Sequence, residues 1–192
     1  ALGGVRLPEV EAPTEVLSGD PGPDSASSVI CLLAGSSTPM TDTQLAARYP
    51  NRAAYEDEYA EASDAAVAEI AALGRKAVAL QLDASDVGSF DAFVDTLKDA
   101  LKVGWNRDTF DFLVNNAGFG VRSAFAQTTE ADFDRLMNVH FKGVFFLTQA
   151  LLPLLADGGR ILNVSSGLTR FSQPGYAAYA AMKGGVEVLT RY

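Results

Sequence analysis

From Ser63 to Tyr192 the apolar positions alternate between short runs and longer stretches of helical period. Asp64 to Leu73 is alanine-rich and predicts a helix, with Ser63 as N-cap and Gly74 as its stop. Ala77–Gln81 predicts a strand. Ser89 then caps an expected helix whose one face carries Phe90, Phe93, Val94, Leu97 and Leu101, with Gly104 following. Phe110 to Val114 predicts the next strand, which runs into Asn115-Asn116-Ala117-Gly118. Thr129 opens a long helix to about Leu155, and Asp132 three residues on completes a capping box. Arg160 to Val164 predicts a buried strand, and Gly175 to Tyr192 a helix. Strands and helices in this alternation imply a parallel sheet covered on both faces.

The first 62 residues have a different texture. Pro8, Pro13, Pro21 and Pro23, with Gly3, Gly4, Gly19 and Gly22, break any period over residues 1–28, so an irregular arm is expected there. Val29 to Ala34 is an apolar run of strand type. No convincing strand follows between Gly35 and Ser63. Residues 1–62 hold 10 acidic and 3 basic residues, whereas 63–192 hold 14 and 12. Six of the 8 prolines also lie before Ser63, so the boundary in texture falls near Glu61–Ser63.

Composition narrows the function classes. Hydrophobic residues make up 48% and charged residues 20% of the 192, as in an ordinary globular chain. A net charge of −9 argues against nucleic acid as the main partner. No apolar run is long enough to span a membrane, and no signal-like segment opens the chain. With Cys31 as the only cysteine, no internal disulfide forms, and a cytoplasmic setting is expected. His140, the only histidine, has no cysteine or carboxylate cluster at ligand spacing, so no metal site is expected. Cys31 is expected to be a small buried hydrophobe, and Trp105 a loop cover.

The sharpest chemical signal is Tyr179-Ala-Ala-Met-Lys183. A spacing of four puts both side chains on one helix face, one turn apart. An ammonium so placed stabilises a phenolate, which is what a phenol needs to exchange protons near neutrality. Ser166 follows the strand Arg160–Val164, where a hydroxyl can orient a carbonyl or alcohol oxygen in the crevice at the strand ends. Each signal alone has a bland reading: a surface pair on a helix, and a serine in a turn.

Taken together, Asn115-Asn116-Ala117-Gly118, Met137-Asn138-Val139, Ile161-Leu162-Asn163-Val164-Ser165-Ser166 and Tyr179-Ala-Ala-Met-Lys183 resemble the short-chain dehydrogenase/reductase family in order and spacing. Leu82-Asp83-Ala84-Ser85-Asp86 resembles its acidic turn after the third strand. The resemblance runs from about residue 63 to 192. It implies an incomplete Rossmann-type doubly wound parallel sheet in a three-layer α/β/α arrangement over residues 29–192. It also implies NAD or NADP as cofactor, with hydride transfer between the nicotinamide and the carbon of a small-molecule carbonyl or secondary alcohol.

By position, Tyr179 resembles the family's general acid/base, and Lys183 the residue that holds the nicotinamide ribose. Ser166 resembles the substrate-oxygen positioner, and Asn138 the asparagine that supports a proton relay. Asp83, with Ala84 beside it, resembles the adenine contact. Asn115, Ala117 and Gly118 resemble the turn that runs beside the cofactor. The resemblance also implies a homodimer or homotetramer, with Phe141, Phe145, Phe146 and Leu147 on an apolar helix surface.

The match to the family's phosphate-binding turn is thin. In Ala34-Gly35-Ser36-Ser37-Thr38-Pro39-Met40-Thr41 only Gly35 survives of three glycines, and Pro39 and Thr41 stand at the other two. Proline lacks the N–H that would meet the pyrophosphate, and threonine adds a branched side chain where backbone must approach closely. The second strand, whose end selects NAD or NADP, is not found; Asp57 and Glu58 read more simply as a solvated helix face. Weak dinucleotide binding follows, together with an alternative in which the chain is a non-catalytic remnant or interaction module. The family's segments beyond the Tyr–Lys helix also have no counterpart here. Without a second strand, Ala77–Gln81 is expected to lack its usual neighbour in the sheet.

Overall fold

The computed structural model describes the backbone of residues 29–32 and all of residues 63–192. Its sheet has three parallel strands in the order β1-β2-β3: β1 Val29–Leu32, β2 Phe110–Asn115 and β3 Leu155–Asn163. β1 lies directly beside β2, Val29 opposite Phe112 and Leu32 opposite Asn115, although residues 33–109 separate them in the chain. Such a crossover between parallel neighbours is what a Rossmann-type sheet requires, and it brings the carboxyl ends of all three strands to one edge. The expected arm over residues 1–28 lies outside the described residues.

Five helices occur among the described residues. The first, α1, is helical through 63–72. It ends as expected: Gly74 adopts φ 73°, its N–H donates to Ala71 and that of Arg75 to Ile70, which closes the last carbonyls. Ser63 is itself helical rather than the expected cap ahead of the helix.

Residues 75–83 form no strand, so Ala77–Gln81 is not a ladder member among the described residues. Residues 42–62, where the neighbouring strand is expected to be missing, lie outside the described residues. The segment 75–83 is instead held by packing, with Leu80 and Leu82 against the core.

Helix α2 spans Phe90–Trp105. Ser89 does not cap it by side chain; its backbone is already helical, and its hydroxyl donates to the Asp86 carbonyl. Asp86 does the capping one turn earlier, accepting from the Gly88 N–H at 3.0 Å ahead of a 3₁₀ turn at Val87–Ser89. Gly104, expected to follow the helix, lies within its last turn, and Asn106 ends it in the left-handed conformation at φ 55°. Asparagine is one of the few residues that does so at low cost.

The long helix expected from Thr129 is present but compound. It begins as α3, Glu130–Met137, with Thr129 Oγ1 accepting from the Asp132 N–H at 3.1 Å. It loosens into a π segment over Asn138–Gly143, resumes as α4, Val144–Leu151, and tightens to 3₁₀ over Leu152–Leu154, where Pro153 sits. The final helix, α5, is Ala177–Leu189, shorter at both ends than the expected 175–192. Gly175 stands before it at φ 93°, outside the helical region.

β3 starts earlier than expected but pairs irregularly. Leu155 lies opposite Phe110, and the ladder resumes only at Arg160 opposite Phe112. The excess residues bulge outward, with Gly158 at φ 77°. The core sits on one face of the sheet: Phe90, Phe93, Leu97 and Leu101 of α2 meet Leu113 of β2 and Leu147 and Leu151 of α4. No described helix is long and apolar enough to cross a membrane.

Candidate active site

The carboxyl end of β3 runs straight into chemistry. Val164 continues the ladder through its N–H to the Asn115 carbonyl at 3.0 Å. Ser165 and Ser166 follow, then a 3₁₀ turn at Gly167–Thr169. Ser166 Oγ accepts from the Leu168 N–H at 3.2 Å, so this serine does the turn's work. Its own O–H donates to no described group, and it remains free for a ligand oxygen.

Tyr179 and Lys183 lie one turn apart on α5, as their spacing predicts. The ammonium sits 6.0 Å from the centre of the phenol ring. Lys183 is buried, and burial lowers its pKa from the ordinary lysine value. One of its three N–H bonds goes to the Val164 carbonyl at 2.8 Å. That bond ties the Tyr–Lys helix to the strand end two residues before Ser166.

A second tie comes from Glu187, one further turn along α5. Its Oε1 accepts from Ser165 Oγ and from Thr169 Oγ1, both at 2.7 Å, and those bonds hold its carboxyl below the usual carboxylate range. Glu187 brackets Ser166 from both sides. A signal for it was present in the sequence, since Tyr179, Lys183 and Glu187 form a stripe with spacing four.

The segment after β2 forms the opposite wall. Asn115 is buried and spends its side-chain N–H groups on Thr148 Oγ1 at 3.1 Å and Asn163 Oδ1 at 2.8 Å. Asn163 in turn donates to Thr190 Oγ1 at 3.0 Å. This network cross-links β2, β3, α4 and the end of α5. Ala117 is buried, and Gly118 packs flat against the ring of His140.

His140 is a site residue that helical periodicity does not reveal. Its imidazole meets the Tyr179 ring edge-on, with centroids 5.0 Å apart. Its pKa falls from 6.5 to about 4, because burial and then the Lys183 charge oppose protonation, while the Phe119 backbone partly offsets them. Asn138 opens the π segment two residues earlier, and its side chain makes no hydrogen bond to a described residue.

Asp83 Oδ1 accepts from the Ser85 N–H at 2.9 Å and Oγ at 2.6 Å, which folds the acidic turn on itself. Ala84 is buried beneath it, and a Cβ on Gly143 would overlap the Ala84 carbonyl, so the turn docks on the π segment. Gly35 lies outside the described residues, as do Cys31's side chain, Pro39, Thr41, Asp57 and Glu58. Trp105 proves to be the last residue of α2 rather than a loop cover. No cluster of metal-ligating side chains occurs among the described residues.

The donor set suits the vicinal hydroxyls of a sugar beside a carbonyl or alcohol oxygen. A buried ammonium has N–H bonds to spare, a phenol stands one turn away, and a serine lies at the strand end. The Asp83 turn, expected at the adenine, is among the described residues, whereas the glycine-bearing segment expected at the phosphates lies outside them.

Comparison with known proteins points the same way. The family model described as short chain dehydrogenase matches residues 43–192. A second one, described as alpha/beta hydrolase domain, matches residues 1–80. A cyclopentanol dehydrogenase of Comamonas sp. (strain NCIMB 9872) is 34% identical over 154 residues, 79% of this chain and 59% of that protein. The crystal structure of landomycin C-6 ketoreductase LanV with bound NADP and rabelomycin superposes with a TM-score of 0.65 at 36% identity, covering 68% of this chain and 53% of that one. A short chain dehydrogenase from Burkholderia cenocepacia J2315 in complex with NADP gives 0.62 at 36% identity, with coverages of 69% and 52%. The chain spans about half the length of the curated relatives it matches.

Proposed function

As the chain belongs to the short chain dehydrogenase family, we propose that it is an NAD(P)-dependent oxidoreductase acting on a small carbonyl compound or secondary alcohol. The observation that carries the proposal is the Lys183–Val164 bond, which joins the Tyr–Lys helix to the strand end that bears Ser166. When bound, the dinucleotide supplies or accepts the hydride. Lys183 would hold the ribose beside Tyr179, and Asp83, Ala84, Asn115, Ala117 and Gly118 would line the dinucleotide's path, with Gly35 assigned to the phosphates. Ser166 donates its O–H to the substrate oxygen and fixes its orientation. Tyr179 gives a proton to that oxygen during reduction and takes it back during oxidation, while the Lys183 ammonium stabilises the phenolate between turnovers. Asn138 is assigned to the relay that restores this proton. The relatives' NADP-bound structures favour NADP as the first cofactor to test. Exposed Phe145 and Phe146 on α4 support a dimer or tetramer.

The test is a titration with NADPH and NADH followed by ligand fluorescence, then rates with a panel of small cyclic and aromatic ketones. The enzymatic reading requires saturable binding and turnover, with the binding weak because Pro39 and Thr41 stand in the phosphate-binding turn. Tyr179→Phe is expected to lower the rate by about 10²–10⁴-fold with binding retained. Wild-type turnover in that variant would reject the assignment.

A second reading is a chain that does not catalyse. One observation favours it: residues 1–80 match a hydrolase-type model, and the segment that should bind pyrophosphate holds Pro39 and Thr41. No saturable binding of either dinucleotide would select it.

A further inference from the structure

His140 is fully enclosed, with 0% of its surface exposed. It projects from the π segment into a slot between two parts of the site. On one side Nε2 lies 2.6 Å from the Phe119 carbonyl oxygen, and the Phe119 N–H points at the same nitrogen from 3.3 Å. The two rings also pack there, with centroids 5.3 Å apart. On the other side stands the edge-on contact with Tyr179, at an interplanar angle of 86°. The slot fits an imidazole closely: a Cβ on Gly118 would stand 2.7 Å from Cε1.

Nε2 can accept from the Phe119 N–H or donate to the Phe119 carbonyl; the carbonyl contact is the closer, and it would set two lone pairs against each other unless Nε2 carried the proton, so the N–H is assigned to Nε2 and Nδ1 is left bare. Nδ1 has no hydrogen-bond partner among the described residues. A leucine of similar volume would take the hydrogen-bond partner from the part-buried Phe119 carbonyl. The groups facing the ring are Tyr179 and Lys183 from α5, and Arg135 of α3 across the Phe119 ring, 5.5 Å from its centre. A second positive charge here would be set against Lys183.

We propose that His140 is the positioning residue of this site: locked as the Nε2–H tautomer by the Phe119 carbonyl, it fixes the Tyr179 ring against the segment that follows β2. The proposal rests on Tyr179 being the acid/base. His140 touches no reacting atom and acts through the tyrosine.

Because His140 is the only histidine, nitrogen-15 labelling at histidine reports on it alone in the full chain. Two separate ring-nitrogen signals of the Nε2–H tautomer, unchanged between about pH 5 and 8, are the expected result. An averaged ring that titrates at the ordinary histidine value overturns the proposal. His140→Gln keeps an N–H that can reach the Phe119 carbonyl, whereas His140→Leu does not. The Tyr179 ring resonances are expected to move in the leucine variant and to return in the glutamine variant. With NADPH and a ketone, kcat of the leucine variant is expected to fall by about 10²-fold at little-changed KM, with recovery in the glutamine variant. Equal behaviour of leucine and wild type in both measurements overturns the proposal. Absence of turnover in wild type would count against the reading of Tyr179, and the two resonance measurements would still decide the role of His140. If the leucine variant does not fold, the tautomer and the glutamine variant decide it.

Discussion

Two neighbouring residues of β2 meet very different surroundings. Leu113 is 1% exposed beneath α2 and α4, while Phe112, which points to the other face of the sheet, is 38% exposed. On β3 the same holds for Ile161, packed on the core, and Leu162, 59% exposed. Yet both strands are apolar on both faces, as expected for a sheet written to be covered twice. The described residues provide one helical layer. Strand sequence therefore records burial on both faces, and the described residues supply it on one.

Substitutions can test this asymmetry, and the largest effect is expected on the covered face. Leu113→Ala and Leu151→Ala should each destabilise by about 2–5 kcal/mol, since nothing near them can collapse into the space. Urea unfolding would measure it, and a loss no greater than that of Phe112→Ala would remove the distinction between the faces.

The buried side also carries a pH dependence. His140 has a folded pKa of about 4 against 6.5, so in that window the unfolded chain binds a proton that the folded chain refuses. Stability present above pH 6.5 should then be lost as pH falls to 4, by about 3 kcal/mol. His140→Gln should remove that part of the slope, as thermal melts across the window would reveal.

Next in size is Gly118→Ala. Its new methyl would press on the imidazole, at a cost of about 1–3 kcal/mol from overpacking. Pairing it with a smaller residue at 140 should relieve part of that cost. The smallest effect is expected on the open face, where Phe112→Thr should change stability by less than about 1 kcal/mol. A much larger loss would mean that this face is covered after all.

Much of the covered side is legible in sequence because its rules are local. The stripe Phe90, Phe93, Leu97, Leu101 has helical period, and Tyr179 and Lys183 share a face at any spacing of four. His140 is not legible in this way. Its partners, Phe119 and Tyr179, lie 21 and 39 residues away in the chain, and the π segment alters which residues share a face between Asn138 and Gly143. Periodicity of 3.6 therefore says little about where residues 138 and 140 point. Asn106 ending α2 in place of Gly104, and Asp86 capping in place of Ser89, are choices between near-equivalent residues one turn apart, which only the closed structure makes. The thin match around Gly35 has a different cause. With residues 1–80 resembling a hydrolase domain, Pro39 and Thr41 need not be decayed glycines, since that segment also follows another family's pattern.

The bulge between Leu155 and Arg160 has a use of its own. Asp157 and Gly158 are exposed, and space around Gly158 is open, whereas Gly159 is pressed between the Asp111 and Ala156 carbonyls. Arg160 donates to the carbonyls of Gly158 and Gly159 and pins the point where pairing resumes. The excursion thus separates length from register. Residues inserted between Asp157 and Gly158 would lengthen a loop without sliding Ile161, Asn163 or Ser166 along the sheet, which makes this junction a natural place to graft a tag, a protease site or a fluorescent reporter.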